Sequence, residues 1–255
     1  MIKKRIVPLL LLKQGRLIKG VQFRDYRDVG DPIKSADVYN SQTADELIVI
    51  NICDAIESIE PLLQVLDGLT RNCFMPLTVG GGIRTLADGI ELIKNGADKL
   101  VLNSACYSNL DLISQLSLKF GSQAIVCSID VRKGDVDEHD YVLYSHLGTR
   151  KAKISLVEHI AAVTAAGAGE IMIQSIDQDG SMSGFDIELA QQVMACSTLP
   201  VLIAGGAGNY QHLLEVFSKS DVSGVVCGSL FNFSDSSPVR ARSYLLNYDL
   251  PFKLV

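Results

Sequence analysis

The chain has 255 residues, 47% of them hydrophobic, and a net charge of −6, the size of one large α/β domain with a substantial core rather than of two small ones. The acidic balance, with no basic run longer than Lys3-Lys4-Arg5, excludes the cationic footprint that nucleic acid requires. No apolar run reaches the length of a membrane span, and Leu9–Leu12 is too short and too early for a secretory signal, so a soluble, cytoplasmic protein without a membrane partner is expected.

Apolar runs rich in Ile, Val and Leu recur at residues 5–12, 47–52, 77–79, 99–102, 124–131, 171–174, 201–204 and 224–227. Between them, residues 59–71, 86–95, 110–120, 156–166, 187–196 and 210–218 carry apolar side chains at helical spacing. Strands buried on both faces, each followed by a helix, predict a parallel sheet, and eight of them predict a closed (β/α)8 TIM barrel as a single domain. An open doubly wound sheet fits less well, because the Gly-rich turns follow the third and seventh strands rather than the first. Two connections are long. Residues 13–32 read as a basic lid carrying Lys13, Arg16, Lys19, Arg24 and Arg27, and residues 132–153 contain an alternating Tyr141-Val-Leu-Tyr144 that predicts a small hairpin. The six cysteines (Cys53, Cys73, Cys106, Cys127, Cys196, Cys227) form no Cys-x-x-Cys pair and read as reduced core thiols. No two histidines have metal-ligand spacing, so neither a metal nor a cofactor is expected.

A repeat organises the chain. Pro76-Leu-Thr-Val-Gly-Gly-Gly-Ile-Arg84 returns as Pro200-Val-Leu-Ile-Ala-Gly-Gly-Ala-Gly208, at an offset of 124 residues that also joins Glu46 to Glu170. This predicts two duplicated half-barrels, about 1–122 and 123–255. Each half brings a strand to a glycine turn and, one strand on, to a small polar turn, which is the local form of an oxyanion seat. Gly81, Gly82, Asn103 and Ser104 make up one candidate cradle. Gly205, Gly206, Gly228 and Ser229 make up the other, completed by Asp179 and Gly180. Two such cradles suit an elongated ligand with a phosphate at each end, whereas the simpler reading leaves the glycines as tight turns only.

The residues also carry a resemblance. Lys4-Arg-Ile-Val-Pro8, Gly30-Asp-Pro32, Asp45-Glu-Leu47, Leu77-Thr-Val-Gly-Gly-Gly-Ile-Arg84, Gly96-Ala-Asp-Lys99, Ser128-Ile-Asp130, Gly167-Ala-Gly-Glu170, Ser175-Ile-Asp-Gln-Asp-Gly180 and Gly205-Gly-Ala-Gly208 resemble, in order and spacing, the cyclase subunit of imidazole glycerol phosphate synthase. The resemblance implies a barrel with two phosphate sites that receives ammonia from a glutaminase subunit at its N-terminal face. At the C-terminal face, the ammonia is used to cleave and cyclise a bisphosphorylated nucleotide derivative. It also implies that Arg5, Glu46, Lys99 and Glu170 ring the barrel floor as an ammonia gate, with Asp98 at the glutaminase interface. A salt-bridge ring that only closes the barrel is the alternative reading of those four charges.

The family's chemistry leans on two aspartates, at the ends of the first and fifth strands. Asp130 holds the fifth-strand position, but Leu11 stands at the first, and an alkyl side chain neither gives nor takes a proton. Asn51 replaces another aspartate, and Gln174 replaces a smaller hydroxyl residue. Lys19, Asn51, Gln174 and Asp177 remain candidates for polar contact with a phosphorylated substrate. Paralogues that resemble this chain, with the same leucine-rich first strand, are associated with acetamidino-sugar formation for surface polysaccharide, beside a glutaminase and a sugar amidotransferase. Three readings follow: an ammonia-using subunit for such a reaction, a cyclase in which another group such as Asp177 replaces the lost acid, and a non-catalytic conduit that activates the glutaminase.

Overall fold

The computed structural model describes residues 3–52, 58–134 and 141–253. Its strands are β1 (Arg5–Lys13), β2 (Arg16–Val21), β3 (Arg24–Gly30), β4 (Leu47–Asn51), β5 (Leu77–Gly80), β6 (Lys99–Leu102), β7 (Ile125–Lys133), β8 (Tyr141–Ser145), β9 (Arg150–Lys151), β10 (Glu170–Ser175), β11 (Val201–Ala204) and β12 (Gly224–Cys227). Eight of them pair in parallel around a closed circuit, β1-β4-β5-β6-β7-β10-β11-β12 and back to β1. The helices α1 (Pro32–Ser41), α2 (Glu60–Asn72), α3 (Leu86–Lys94), α4 (Ser104–Ser108), α5 (Leu110–Phe120), α6 (Leu156–Ala165), α7 (Ile187–Cys196), α8 (Tyr210–Lys219), α9 (Ser229–Phe233) and α10 (Pro238–Leu246) fill the connections. The chain is therefore a (β/α)8 TIM barrel.

Strand alternation sorts the core into layers. Ile6, Leu10 and Leu12 of β1 face the helices, whereas Val7 and Leu9 join Ile48, Val101, Val126, Met172, Leu202, Ala204 and Val226 inside the barrel, with Leu11 and Ile50 packed against them nearer the mouth. The bore is thus a filled apolar column between a charged floor, where the strands begin, and a polar mouth, where they end.

The stretch expected as a basic lid loop is instead a β-ribbon. Gln14 (φ 52°) and Gly15 (φ 73°), then Gln22 (φ 51°) and Phe23 (φ 62°), place both central residues of each two-residue turn at positive φ, the turn that matches strand twist in a tight hairpin. β2 pairs antiparallel with the end of β1, and β3 with β2. The ribbon's positive charge is also partly used internally, since Arg16 forms two hydrogen bonds with Asp28 at 2.8 and 3.0 Å. The predicted segment 141–144 forms β8, whose antiparallel partner is the tail of β7. Helices α1 and α10 escaped the periodicity reading because their apolar residues are sparse. Their starts are nonetheless written in sequence: Asp31 and Ser237 accept N–H bonds from Lys34 and Arg240, each just before a proline. Of the cysteines, Cys106, Cys127 and Cys227 are buried thiols, Cys73 and Cys196 are half-buried, and Cys53 lies outside the described residues.

Candidate functional site at the two ends of the barrel

At the floor, the first residues of three strands and the one before a fourth meet. Arg5 of β1 donates to Glu46 at 2.9 Å and to Glu170 of β10, and Lys99 of β6 donates to the same two carboxylates at 2.9 and 3.1 Å. Each cation thus bridges both anions, which closes a four-membered ring. Glu46 and Glu170 are only 2% and 5% exposed, so their charges depend on these partners. Thr78 of β5, which the sequence reading passed over, adds a hydroxyl donor to Glu46 at 2.6 Å. Its position one residue into a strand, facing inward, is the signal that would have found it. Asp98 is exposed and sits beside the ring as a strand clasp, accepting from the N–H of Leu77 at 2.8 Å. A matching clasp lies at Asp45, which accepts from Ile6 N–H at 2.8 Å and from the buried Arg242 of α10 at 2.9 Å.

At the mouth, Asp130 of β7 is buried and accepts from Asn103 Nδ2 at 3.0 Å. Burial, and after it the like charge of Asp179, push its carboxyl up to about 7, against the pull of the Asn103 and Ser128 hydrogen bonds. Such a group exchanges protons near neutral pH. Lys19 of β2, 3% exposed, reaches across to donate to Asp179 at 2.6 Å. Gln174 of β10 is buried beside them. Leu11 faces the bore where the first strand would present an acid, and its neighbour in register is Ile50.

Two candidates stand apart from this group. Asn51 shares the parity of Leu47 and Val49, which face the helices rather than the bore, and its buried amide has no hydrogen-bond partner at either atom. Asp177 is held by Arg132 at 3.1 Å and by the N–H of Lys133 at 2.8 Å, bracing the loop after β10 against β7.

The glycine turns have matched conformations. Gly81, Gly82, Gly205 and Gly206 have φ of 91°, 88°, 95° and 106°, and a Cβ on any of them would lie within 2.5 Å of a backbone oxygen. Close approach alone requires glycine there. The second turn opens onto a small cavity of about 20 Å³, whose wall includes Lys19, Asp179, Gly180, Gly205, Gly206, Gly228 and Ser229, with Gln174 and Leu9. The Oγ of Ser229 is buried without a partner. At the first turn, by contrast, Ser104 Oγ already accepts from His146 N–H at 3.1 Å and lies 3.4 Å from Asn103 Oδ1.

With both ends in place, comparison with known proteins is informative. A family profile described as "Histidine biosynthesis protein" matches residues 5–237. The chain is 40% identical over 245 residues to "Imidazole glycerol phosphate synthase subunit HisF" of Natranaerobius thermophilus, covering 96% of each chain. This chain is a HisF-like member of the histidine biosynthesis protein family. The proteins of the same name from Staphylococcus carnosus (38% identical, 96% of each chain) and Alkaliphilus metalliredigens (38%, 99% of this chain and 100% of the relative) are similar throughout their length as well. The HisF-like fold therefore spans a mouth in which one expected proton-transfer position is occupied by leucine. Among the described residues, no helix is long and apolar enough to cross a membrane, and no cluster of three potential metal ligands forms.

Proposed function

We propose that this chain is the ammonia-accepting synthase subunit of a glutamine amidotransferase complex working in the cytoplasm. A glutaminase of the HisH kind docks on the floor near Asp98, ammonia enters through the Arg5–Glu46–Lys99–Glu170 ring, and it meets a phosphorylated acceptor at the strand ends. The observation that carries the reading is the ring itself. Four charges at the start of the bore are costly to bury, and a purely mechanical plug would be served as well by the apolar side chains that fill the layer above it. That layer, from Val7 to Met172 and Val226, favours neutral ammonia over ammonium, whose charge would lose its hydration without gaining a partner.

At the mouth we assign Asp130 the proton transfers, with Lys19 and Gln174 as polar contacts to the acceptor. Asn51 and Asp177 take supporting places, the first beneath the Gly81 turn and the second in the loop after β10. The matched glycine turns support the division into two half-barrels. Imidazole formation needs a second titrating group, and Leu11 does not supply one. We therefore assign the chain to amidination of a sugar derivative for surface polysaccharide, beside a sugar amidotransferase, rather than to the cyclisation named for its relatives. Leu11 is the feature that favours this choice.

The purified chain, supplied with ammonium and the bisphosphorylated nucleotide derivative, is expected to give no imidazole glycerol phosphate. Formation of that product by the unmodified chain would return the protein to its relatives' reaction. The conduit reading is separated by Asp130→Asn: amidination that survives this change while glutaminase coupling is intact would make the barrel a channel only.

A further inference from the structure

The β2–β3 ribbon leaves the end of β1 and comes to rest on the turn after β10, with β12 and β11 between those two strands in the circuit. Its polar contacts there converge on one short turn. Gln22 donates from its N–H to Asp179 O at 2.9 Å and from its side chain to Asp177 O at 3.0 Å, and Lys19 Nζ donates to Asp179 Oδ1 at 2.6 Å. The cavity that Lys19 and Asp179 line measures about 20 Å³, room for a water molecule and not for a sugar. An acceptor therefore enters the mouth only as the ribbon lifts, and lifting parts Lys19 from Asp179.

Lys19 and Asp179 are 3% and 6% exposed, so separating them leaves a buried carboxylate without its counter-charge. Asp130 lies close enough to respond. Gln174, its register neighbour on β10, lines the cavity together with Lys19 and Asp179, and the charge of Asp179 is, after burial, what keeps the proton on Asp130. The other groups around Asp130 carry no net charge to compete. Asn103 and Ser128 hydrogen-bond its carboxyl, and Gln174 and Tyr144 flank it in the sheet. Arg132, further along β7, is engaged with Asp177 at 3.1 Å and with the Tyr144 ring, and burial pushes the Tyr107 phenol of α4 up. We propose that Lys19 is a positioning residue for proton transfer, acting through Asp179: with the ribbon down it neutralises Asp179 and lets Asp130 ionise, and with the ribbon lifted the bare Asp179 charge holds the proton on Asp130. Asp130 is thus an acid while the mouth is open and a base once it is closed. This inference rests on the reading that Asp130 carries the proton transfers.

The test is an NMR titration of the carboxyl carbons in the full chain labelled with 13C-aspartate, the Asp130 signal being the one missing from Asp130→Asn. In the parent its midpoint is expected at about 7. Lys19→Met keeps the stem that lies against Gly228 and removes the charge, and the midpoint is expected to rise by about one pH unit. Asp179→Asn is expected to lower it by about one pH unit, and the two changes together to leave it below the parent value. Lys19→Arg keeps the charge and is expected to stay close to the parent, whereas a packing role would be disturbed by the larger head. Thermal unfolding identifies the folded variants, and Asp179→Asn decides if Lys19→Met is not among them. A midpoint unchanged or lowered in Lys19→Met, a rise that persists when Asp179 is also replaced, or no fall in Asp179→Asn would overturn the coupling and leave Asp130 as the proton carrier. A parent midpoint at the ordinary carboxyl value of 3.8 would remove both.

Discussion

Asp130→Asn converts the mouth's buried carboxyl into a neutral group of the same shape, and its effect on stability can be worked out with its sign. In the folded protein the carboxyl titrates at about 7, against 3.8 when free in solution. A carboxyl with a raised folded pKa holds its proton longer in the folded state, so stability falls as pH rises from 3.8 to about 7 and is flat above. At about 1.4 kcal/mol per unit, keeping Asp130 ionised in the fold costs about 4 kcal/mol at pH 8, of which about 2 to 3 kcal/mol accrues above pH 5. The asparagine keeps an acceptor for Asn103 and has no charge to desolvate. Urea unfolding of both proteins at pH 5 and pH 8 is expected to show the variant gaining on the parent by about 2 to 3 kcal/mol between the two pH values. Parallel pH dependences in the two proteins would mean that Asp130 is not held in a desolvated, proton-retaining site, and its assignment to proton transfer near neutral pH would lose its basis.

Other perturbations probe the scaffold. Arg242→Met removes the guanidinium that ties α10 to Asp45 and Thr43 and leaves a buried carboxylate short of its partner. A loss of about 3 to 5 kcal/mol is expected in denaturant unfolding, and a loss under about 1 kcal/mol would show the pair to be incidental. Gly206→Ala places a Cβ 1.8 Å from Gly184 O at a φ of 106°, whereas Gly15→Ala, at φ 73°, meets nothing within 4 Å. Both carry conformational strain of about 1 kcal/mol or more, but only the first must also displace backbone. Its melting temperature is therefore expected to fall further, and equal shifts would contradict the close-approach account of that turn.

Much of the barrel was legible because its signals are local. Runs 99–102, 201–204 and 224–227 coincide with β6, β11 and β12, and helices 110–120 and 187–196 with α5 and α7, since strands buried on both faces and one-sided helices each leave a periodic pattern. The β2–β3 ribbon was missed because Arg16, Arg24 and Arg27 outweighed two short turn signals, although Gly15 marked the first of them. At the site, Asp130, Lys19 and Asp179 could be nominated from residue type and motif, but not the bond from Lys19 to Asp179, which joins β2 to the turn after β10, far apart in sequence. The inward place of Thr78 in its strand was readable, but its bond to Glu46 depends on register, and His146 on Ser104 depends on a loop folding back. The inequality of the two glycine turns was hidden for the same reason: the repeat makes them alike in sequence, and it is the neighbouring segments that leave Ser229 free and Ser104 engaged.

The central claim, that the floor ring admits ammonia made by a partner, is tested most directly at Lys99. In the complex with the glutaminase, the measurement is the ratio of glutamate released to glutamine-derived nitrogen in the product, followed with amide-15N glutamine for the parent and for Lys99→Ala. The parent is expected to keep this ratio near one and the variant to release glutamate in clear excess, with Arg5 left as the one cation of the ring. An unchanged ratio in the variant would contradict the ammonia entrance and leave the ring as a structural closure of the barrel.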